Sequence, residues 1–357
     1  MKDIGEGTIR RIDWTELTPV VLLLRIFNIA LGVRILLLAL IGLKLTILFN
    51  FLAGISFLDP ELAAQIHQGT PQYYFNLPVD QLYSGVLGVY SGVLDTPLSV
   101  RENSKMFFWY PGVVLIWVVC GGLICRIVAV RLTVDESESW SNLCLFFRKR
   151  GISFLSAPFL VMLGIVCCFL PVKIAGWLLA VPFLNYAVAV LFPIPFAFTC
   201  LTVFLALVLA VGFMLLFAAV SADGSDGFDA ISRMYSYVCQ RPLHYAVYWL
   251  CCYVLGWLGF LLIQFPIYTA MELCWKTVPA DYELFVRFWA NLFALIPLAY
   301  WFAWFWTSSV AIYLLLRRSV DATPFNEVYR VVPPQVRTLP IIKPDAQGAP
   351  EIVPAEG

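Results

Sequence analysis

Charge, histidine and paired cysteine are all scarce in this chain. Only 13% of its 357 residues are charged, and its 23 lysines and arginines equal its 23 aspartates and glutamates. No surplus of positive charge is available to neutralise phosphates, so no nucleic-acid partner is expected. The two histidines are His67 and His244. The span count below puts them on opposite sides of a bilayer, where they can share neither a metal nor a catalytic triad. Ten cysteines occur but no CxxC pair, and Cys120, Cys125, Cys167, Cys168, Cys200, Cys251 and Cys252 lie inside apolar runs, where a thiol packs as a small hydrophobe. GxSxG, the Walker phosphate loop, HExxH and the Rossmann glycine pattern are missing as well. No enzyme, cofactor or metal is expected from these absences. The N-terminal MKDIGEGTIRRIDWTEL mixes charges of both signs and has no small-residue cleavage site, so the first apolar segment is expected to persist in the mature protein.

What abounds is apolar surface. Hydrophobic residues make up 61% of the chain and aromatics 16%, against about 45–50% apolar in ordinary soluble domains. A helix needs about 20 apolar residues to cross the hydrocarbon core, and six stretches qualify: about 34–55, 106–130, 152–171, 196–220, 244–266 and 288–316. The expected fold is all-α, a polytopic helical membrane bundle of about six transmembrane helices with amphipathic interfacial helices and an internal repeat. Its parts are a cytoplasmic amphipathic segment at 1–33, a membrane domain at 34–318 and a flexible cytoplasmic tail at 319–357, which is proline-rich and lacks apolar periodicity. Residues 172–195 are apolar but interrupted by Pro182, Asn185, Pro193 and Pro195. They read as a non-cytoplasmic hairpin at the interface rather than a seventh span.

With six spans, seventeen basic residues fall on the side of the termini and only Arg101, Lys105, Lys173, Lys276 and Arg287 on the other. The positive-inside rule therefore places both termini in the cytoplasm. The large external loop, 56–105, repeats Tyr-Ser-Gly-Val-Leu at Tyr83 and Tyr90, which stacks Gly85 over Gly92 with Gly88 close by. That pattern suits either a surface helix or a close-packed face that would support a homo-oligomer.

Two polar features stand out. Asp223, Asp226 and Asp229 recur at a spacing of three, which fails the calcium-loop pattern, whereas Asp226 is well placed to cap a helix starting near Phe228. Lys44 falls near the middle of the first span, where an ammonium costs about 2.5–3.5 kcal/mol on insertion scales. It is the candidate intramembrane polar site: a misplaced span boundary, an interhelical contact and a substrate or ion site all account for it. Arg25 and Arg34 read as snorkelling side chains at the cytoplasmic edge.

Offsetting the chain by 84 residues aligns Pro158 with Pro242, Cys167-Cys168 with Cys251-Cys252 and Phe169 with Tyr253. Each unit, about 136–220 and 220–318, reads as an amphipathic stretch (Trp140 to Arg150; Phe228 to Arg241), a proline at a helix start, a span and a return helix. Basic residues on such stretches meet anionic headgroups, which makes Arg148, Lys149, Arg150, Arg233 and Arg241 the candidate inner-leaflet lipid contacts.

The segment SDGFDAISRMYSYVCQRPLHY, from Ser225 to Tyr245, resembles the recurrent cytoplasmic helix of uncharacterised multi-pass proteins frequent in planctomycete bacteria, and RRSVDATPFNEVY, from Arg317 to Tyr329, resembles their C-terminal signature. More remotely, the repeat is similar to the membrane domain associated with glycerophosphoryl diester phosphodiesterases. The resemblance implies a bacterial cytoplasmic membrane and no chemistry, because in the phosphodiesterases catalysis belongs to a separate soluble barrel. The function expected is non-catalytic organisation of membrane lipids or protein partners at the inner leaflet. The alternative is a transporter or channel-like permease using the repeat, for which Lys44 and the proline-broken apolar segments are the cue.

Overall fold

A computed structural model describes residues 21–52, 100–277, 283–331, 341–344 and 350–353. Its helices are α1 (Val21–Ala30), α2 (Val33–Leu52), α3 (Val100–Thr133), α4 (Trp140–Leu179), α5 (Leu184–Val190), α6 (Pro193–Asp223), α7 (Gly227–Gln240), α8 (Pro242–Thr277) and α9 (Glu283–Asp321). Two short strands follow, β1 (Ile341–Pro344) and β2 (Pro350–Val353), paired antiparallel with Ile341 opposite Val353. Five helices are long and apolar enough to cross a bilayer, or six if α1 and α2, bent by 67° at their junction, count as one broken span. The protein is thus a helical multi-pass membrane protein, with its five long spans where the apolar runs between 106 and 316 put them. The duplication at Tyr83 and Tyr90, with Gly85, Gly88 and Gly92, and His67 lie outside the described residues.

α9 is the central helix and touches α1, α2, α3, α6, α7 and α8. Its residues from Val310 to Leu316 are all buried. Lipid tails are as apolar as leucine, so helices in a membrane associate through close packing and polar contacts rather than through the hydrophobic effect. An aromatic chain supplies that packing across four helices. Trp117 of α3 stacks on Phe302 of α9 at 4.5 Å, Trp306 meets Phe217 of α6 at 4.8 Å, and Phe217 meets Phe154 of α4 at 5.8 Å. Gly121 makes this approach feasible, because a Cβ there would lie 2.6 Å from the Trp306 ring.

Two regions differ from the sequence expectation and one extends it. The stretch Trp140 to Arg150 is not a separate interfacial helix: it is continuous with the span in α4, whose 40 residues extend about 60 Å, twice the hydrocarbon core. Ser139 caps it, accepting from the Asn142 amide, and Pro158 lies inside the helix whereas Pro242 opens α8. The two aligned prolines therefore occupy different positions in their helices. Second, α4 runs on to Leu179, past the expected span end, and turns through the seven-residue α5 into α6, so 172–195 forms a helical corner too short for another crossing, in keeping with a hairpin and not a seventh span. Third, the chain beyond α9 is not uniformly free. Ala322, at φ +55°, ends the helix and turns 322–331 back onto the bundle, where the Tyr329 amide donates to the Ala222 carbonyl at 2.8 Å.

α7 does form as an amphipathic helix in its own right, and its start follows the expected chemistry. Gly224, at φ +61°, closes α6 in the left-handed conformation, and Asp226 caps α7 by accepting from the Asp229 amide at 2.9 Å. The helix begins against Ser156 and Ala157 of α4, crosses α6 where Met234 and Val238 lie on Gly212, and reaches Tyr313 of α9 through Tyr237.

Candidate functional site

The described part of the molecule concentrates its buried charge at one end of the bundle, where α3, α6 and α9 finish and α4 and α7 begin. Arg126 and Arg317 organise it. Arg126, with its side chain 1% exposed, points a two-pronged bond at Glu138, itself 9% exposed: Nε donates to Oε2 at 2.9 Å and Nη2 to Oε1 at 3.0 Å. Its remaining nitrogen, Nη1, donates to the carbonyls of Ser221 at 3.0 Å and Tyr329 at 2.7 Å, and the guanidinium covers the Phe146 ring at 4.3 Å. A buried cation is tolerated only when it is paired and hydrogen-bonded, and this one joins α3, the α3–α4 loop, α6 and the C-terminal segment at a single point.

Asp223 is the second centre. It is the last residue of α6, where the negative end of the helix dipole opposes a carboxylate. Three donors offset that: Arg317 and Tyr313 of α9 bind it directly, and Arg233 of α7 reaches it at 2.8 Å. Arg233 also binds Asp229 at 3.0 Å and lies 4.0 Å from Asp321, which accepts the Tyr237 hydroxyl. Burial works against the charged form of Arg233, but Tyr313, Asp229 and Asp223 outweigh it and hold its pKa above the ordinary arginine value. Burial, followed by the bond to Asp321, pushes the Tyr237 phenol above its usual range, so that hydroxyl remains a donor.

Both arginines use their free nitrogens to grip the returning chain. Arg317 Nη2 donates to the carbonyls of Glu327 at 2.7 Å and Pro324 at 3.3 Å, and Arg126 holds that of Tyr329. The Tyr329 ring is seated over Gly224, against Phe146 and under the Arg150 guanidinium, 5.3 Å away. Residues 322–331 thus form a strap recognised chiefly through backbone carbonyls. A Cβ at Gly224 would fall 2.5 Å from the Tyr329 ring, at a φ that L side chains rarely adopt. Gly224→Ala is expected to cost about 1–2 kcal/mol in backbone strain alone and to displace the ring. Hydrogen exchange at the Tyr329 amide should accelerate, and unchanged protection there would contradict this account.

The structure separates the residues singled out from the sequence. Arg150 and Arg233 are engaged within the protein, by Tyr329 and by the Asp223 cluster. Arg148, Lys149 and Arg241 are exposed and make no ion pair among the described residues. Lys44 is exposed on the outer face of α2, away from the cluster. Arg25 and Arg34 do more than snorkel: Arg25 pairs with Asp135 at 2.5 Å, and Arg34 donates to the Glu138 carbonyl at 3.2 Å and lies over Trp140. His244 is exposed, in a T-shaped ring contact with Tyr248.

Sequence reasoning missed Arg126, Glu138, Asp223, Tyr313, Arg317 and Asp321 as a unit. One signal was present: Arg126 falls inside an apolar run, and Asp223 and Arg317 lie within a turn of span ends on the same side. Among the described residues no three histidine, cysteine, aspartate or glutamate side chains converge as a metal site. A crevice of about 50 Å³ between α6, α8 and α9 is lined by Met214, Trp249, Cys252, Trp301, Trp304 and Ser308, far below the volume of a ligand pocket. Comparison with protein-family models, with curated proteins and with solved structures finds no match for this chain.

Proposed function

We propose that this protein is a non-catalytic organiser of the inner leaflet of a bacterial cytoplasmic membrane, with both termini on the cytoplasmic side, which gathers anionic lipids or protein partners around its ion-paired end. The resemblance to the planctomycete multi-pass proteins supplies the membrane, and the excess of basic residues on one side supplies the orientation. One observation carries the reading. The described acids and arginines of the cluster are consumed by one another, whereas Arg148, Lys149 and Arg241 are left exposed and without ion pairs among the described residues, and Trp140, Ile152, Phe228 and Leu243 are exposed on the same helices or their flanks. Cations bordered by exposed aromatic and aliphatic side chains match the headgroup layer, where each basic residue is worth about 1 kcal/mol against anionic lipid. The transport alternative draws on the repeat and on Lys44, but Lys44 lies outside the one crevice described between α6, α8 and α9.

The test is lipid selectivity. In bicelles of mixed phosphatidylglycerol and phosphatidylcholine, the full chain should retain the anionic lipid preferentially. Arg148→Gln, Lys149→Gln and Arg241→Gln together should lower that preference by more than about tenfold, without changing helix content. An unchanged preference in the triple variant would remove the lipid-organising role.

A further inference from the structure

Lys44 occupies a place that neither the ion-paired end nor the lipid contacts explain. It is the twelfth residue of the 20-residue α2, so it lies about 16 Å from the start of that helix and about 12 Å from its end. The extended lysine stem covers only about 6 Å, short of either headgroup plane when α2 crosses a 30 Å core (about that thickness in most bilayers). The opposite side of the same turn packs into the bundle. Two residues away, Gly42 packs on Cys120 and Trp117 of α3, and Trp117 belongs to the central aromatic chain with Phe302 and Trp306.

The direction is equally defined. Leu37, Ile41, Leu45 and Leu48 are exposed along one stripe of α2, and Lys44 is exposed within it, whereas Ile35, Leu38, Ala39, Leu43 and Thr46 are buried on the other side. Lys44 makes no hydrogen bond or ion pair among the described residues. An ammonium in the middle of an outward-facing apolar stripe is costly in lipid and becomes tolerable when an acid meets it there.

We propose that the Leu37–Leu48 face of α2 docks a transmembrane helix of another protein that carries an aspartate or glutamate near its midpoint, with Lys44 as the counter-ion. A second copy does not fit this face. Symmetric pairing would set Lys44 against Lys44, and the carboxylates whose side chains are described, such as Asp135, Glu138, Asp223, Glu272 and Asp321, lie near or beyond helix ends rather than at mid-span. The proposal deepens the organising function by naming a kind of protein partner. It is independent of the lipid contacts, because Arg148, Lys149 and Arg241 take no part in it.

The full chain, labelled at its C-terminus and reconstituted in phosphatidylcholine vesicles, is to be titrated with two labelled synthetic leucine–alanine membrane helices. They differ only in a central glutamate or glutamine, and association is read by energy transfer. The glutamate helix should associate about tenfold more tightly than the glutamine helix. Lys44→Met should abolish the difference and Lys44→Arg should keep it. Lys44→Met removes a lipid-facing charge and no internal contact, so folding is preserved. Equal association of the two helices with the natural chain, or a preference that survives Lys44→Met, overturns the proposal. A photoreactive residue at position 41 in native membranes gives a second reading. An adduct to a membrane helix with an acid within one turn, lost in Lys44→Met, supports the proposal, and adducts to phospholipid or to a second copy alone overturn it. Failure here with intact anionic-lipid selectivity rejects the protein partner and leaves the lipid-organising function standing.

Discussion

Arg126→Ala is expected to destabilise the protein by about 3–5 kcal/mol, the range for breaking one side of a buried ion pair. The loss comes from the groups left behind. Glu138 would remain nearly buried without its two donors, and the carbonyls of Ser221 and Tyr329 would lose theirs. Arg126→Lys keeps the charge but not the planar fork, and one ammonium cannot serve Glu138, Ser221 and Tyr329 together. It should recover only part of the loss. Arg126→Met combined with Glu138→Gln removes both charges, so the double variant should be less damaged than the sum of the singles, with a coupling within about 0.5–3 kcal/mol. Denaturant unfolding of the detergent-solubilised protein, followed by helix content, measures each variant, including Arg126→Met and Glu138→Gln alone. Additive losses would mean that Arg126 and Glu138 are neighbours without energetic linkage.

Much of the architecture was legible because a membrane imposes a length. Apolar runs near 20 residues have few ways to satisfy their backbone other than as spanning helices, and 106–130, 152–171, 196–220, 244–266 and 288–316 each lie within one helix. Local chemistry was legible too. The Asp226 cap depends only on a side chain and an amide three residues on, and it forms as its sequence implies. Where two outcomes share one local pattern, legibility stopped. Nothing between Trp140 and Pro158 distinguishes an amphipathic helix lying on the leaflet from the same turns continued out of a span, and only packing against Arg126 and Phe217 decides it. The buried cluster was hidden for a related reason. Arg126 and Glu138 are 12 residues apart, but Arg126 and Tyr329 are 203 apart and Arg317 and Asp223 94 apart, and no periodicity in a single sequence reports such pairings. The segment from Arg317 to Tyr329 stood out as a motif, and the structure gives that motif a physical role: its arginine anchors, its proline and glutamate carbonyls accept, and its tyrosine fills the space over Gly224.

Asp223→Ala is expected to be comparably damaging and to release the strap. Arg317, 3% exposed, would lose its carboxylate and keep only the carbonyls of Pro324 and Glu327, and the Tyr313 hydroxyl would lose its acceptor. An unpaired guanidinium at that depth costs about 3–5 kcal/mol, enough to favour opening of the α6–α9 end toward water. The consequence for 322–331 is specific. With Arg317 no longer oriented by Asp223, its grip on Glu327 weakens, and the strap depends on the contacts of Tyr329 with Arg126, the Ala222 carbonyl, Phe146 and Arg150. Limited proteolysis should then cut within 322–331 in Asp223→Ala while the spans resist. Asp223→Asn keeps an acceptor for Tyr313 and one arginine but carries no charge against two guanidinia, so it should fall between the two. Arg317→Met in the Asp223→Ala background should restore span stability, because it removes the orphaned cation, but it should not restore strap protection, because the donor to Glu327 is gone. Recovery of strap protection together with span stability would show that Asp223 and Arg317 balance charge and do not hold the returning chain.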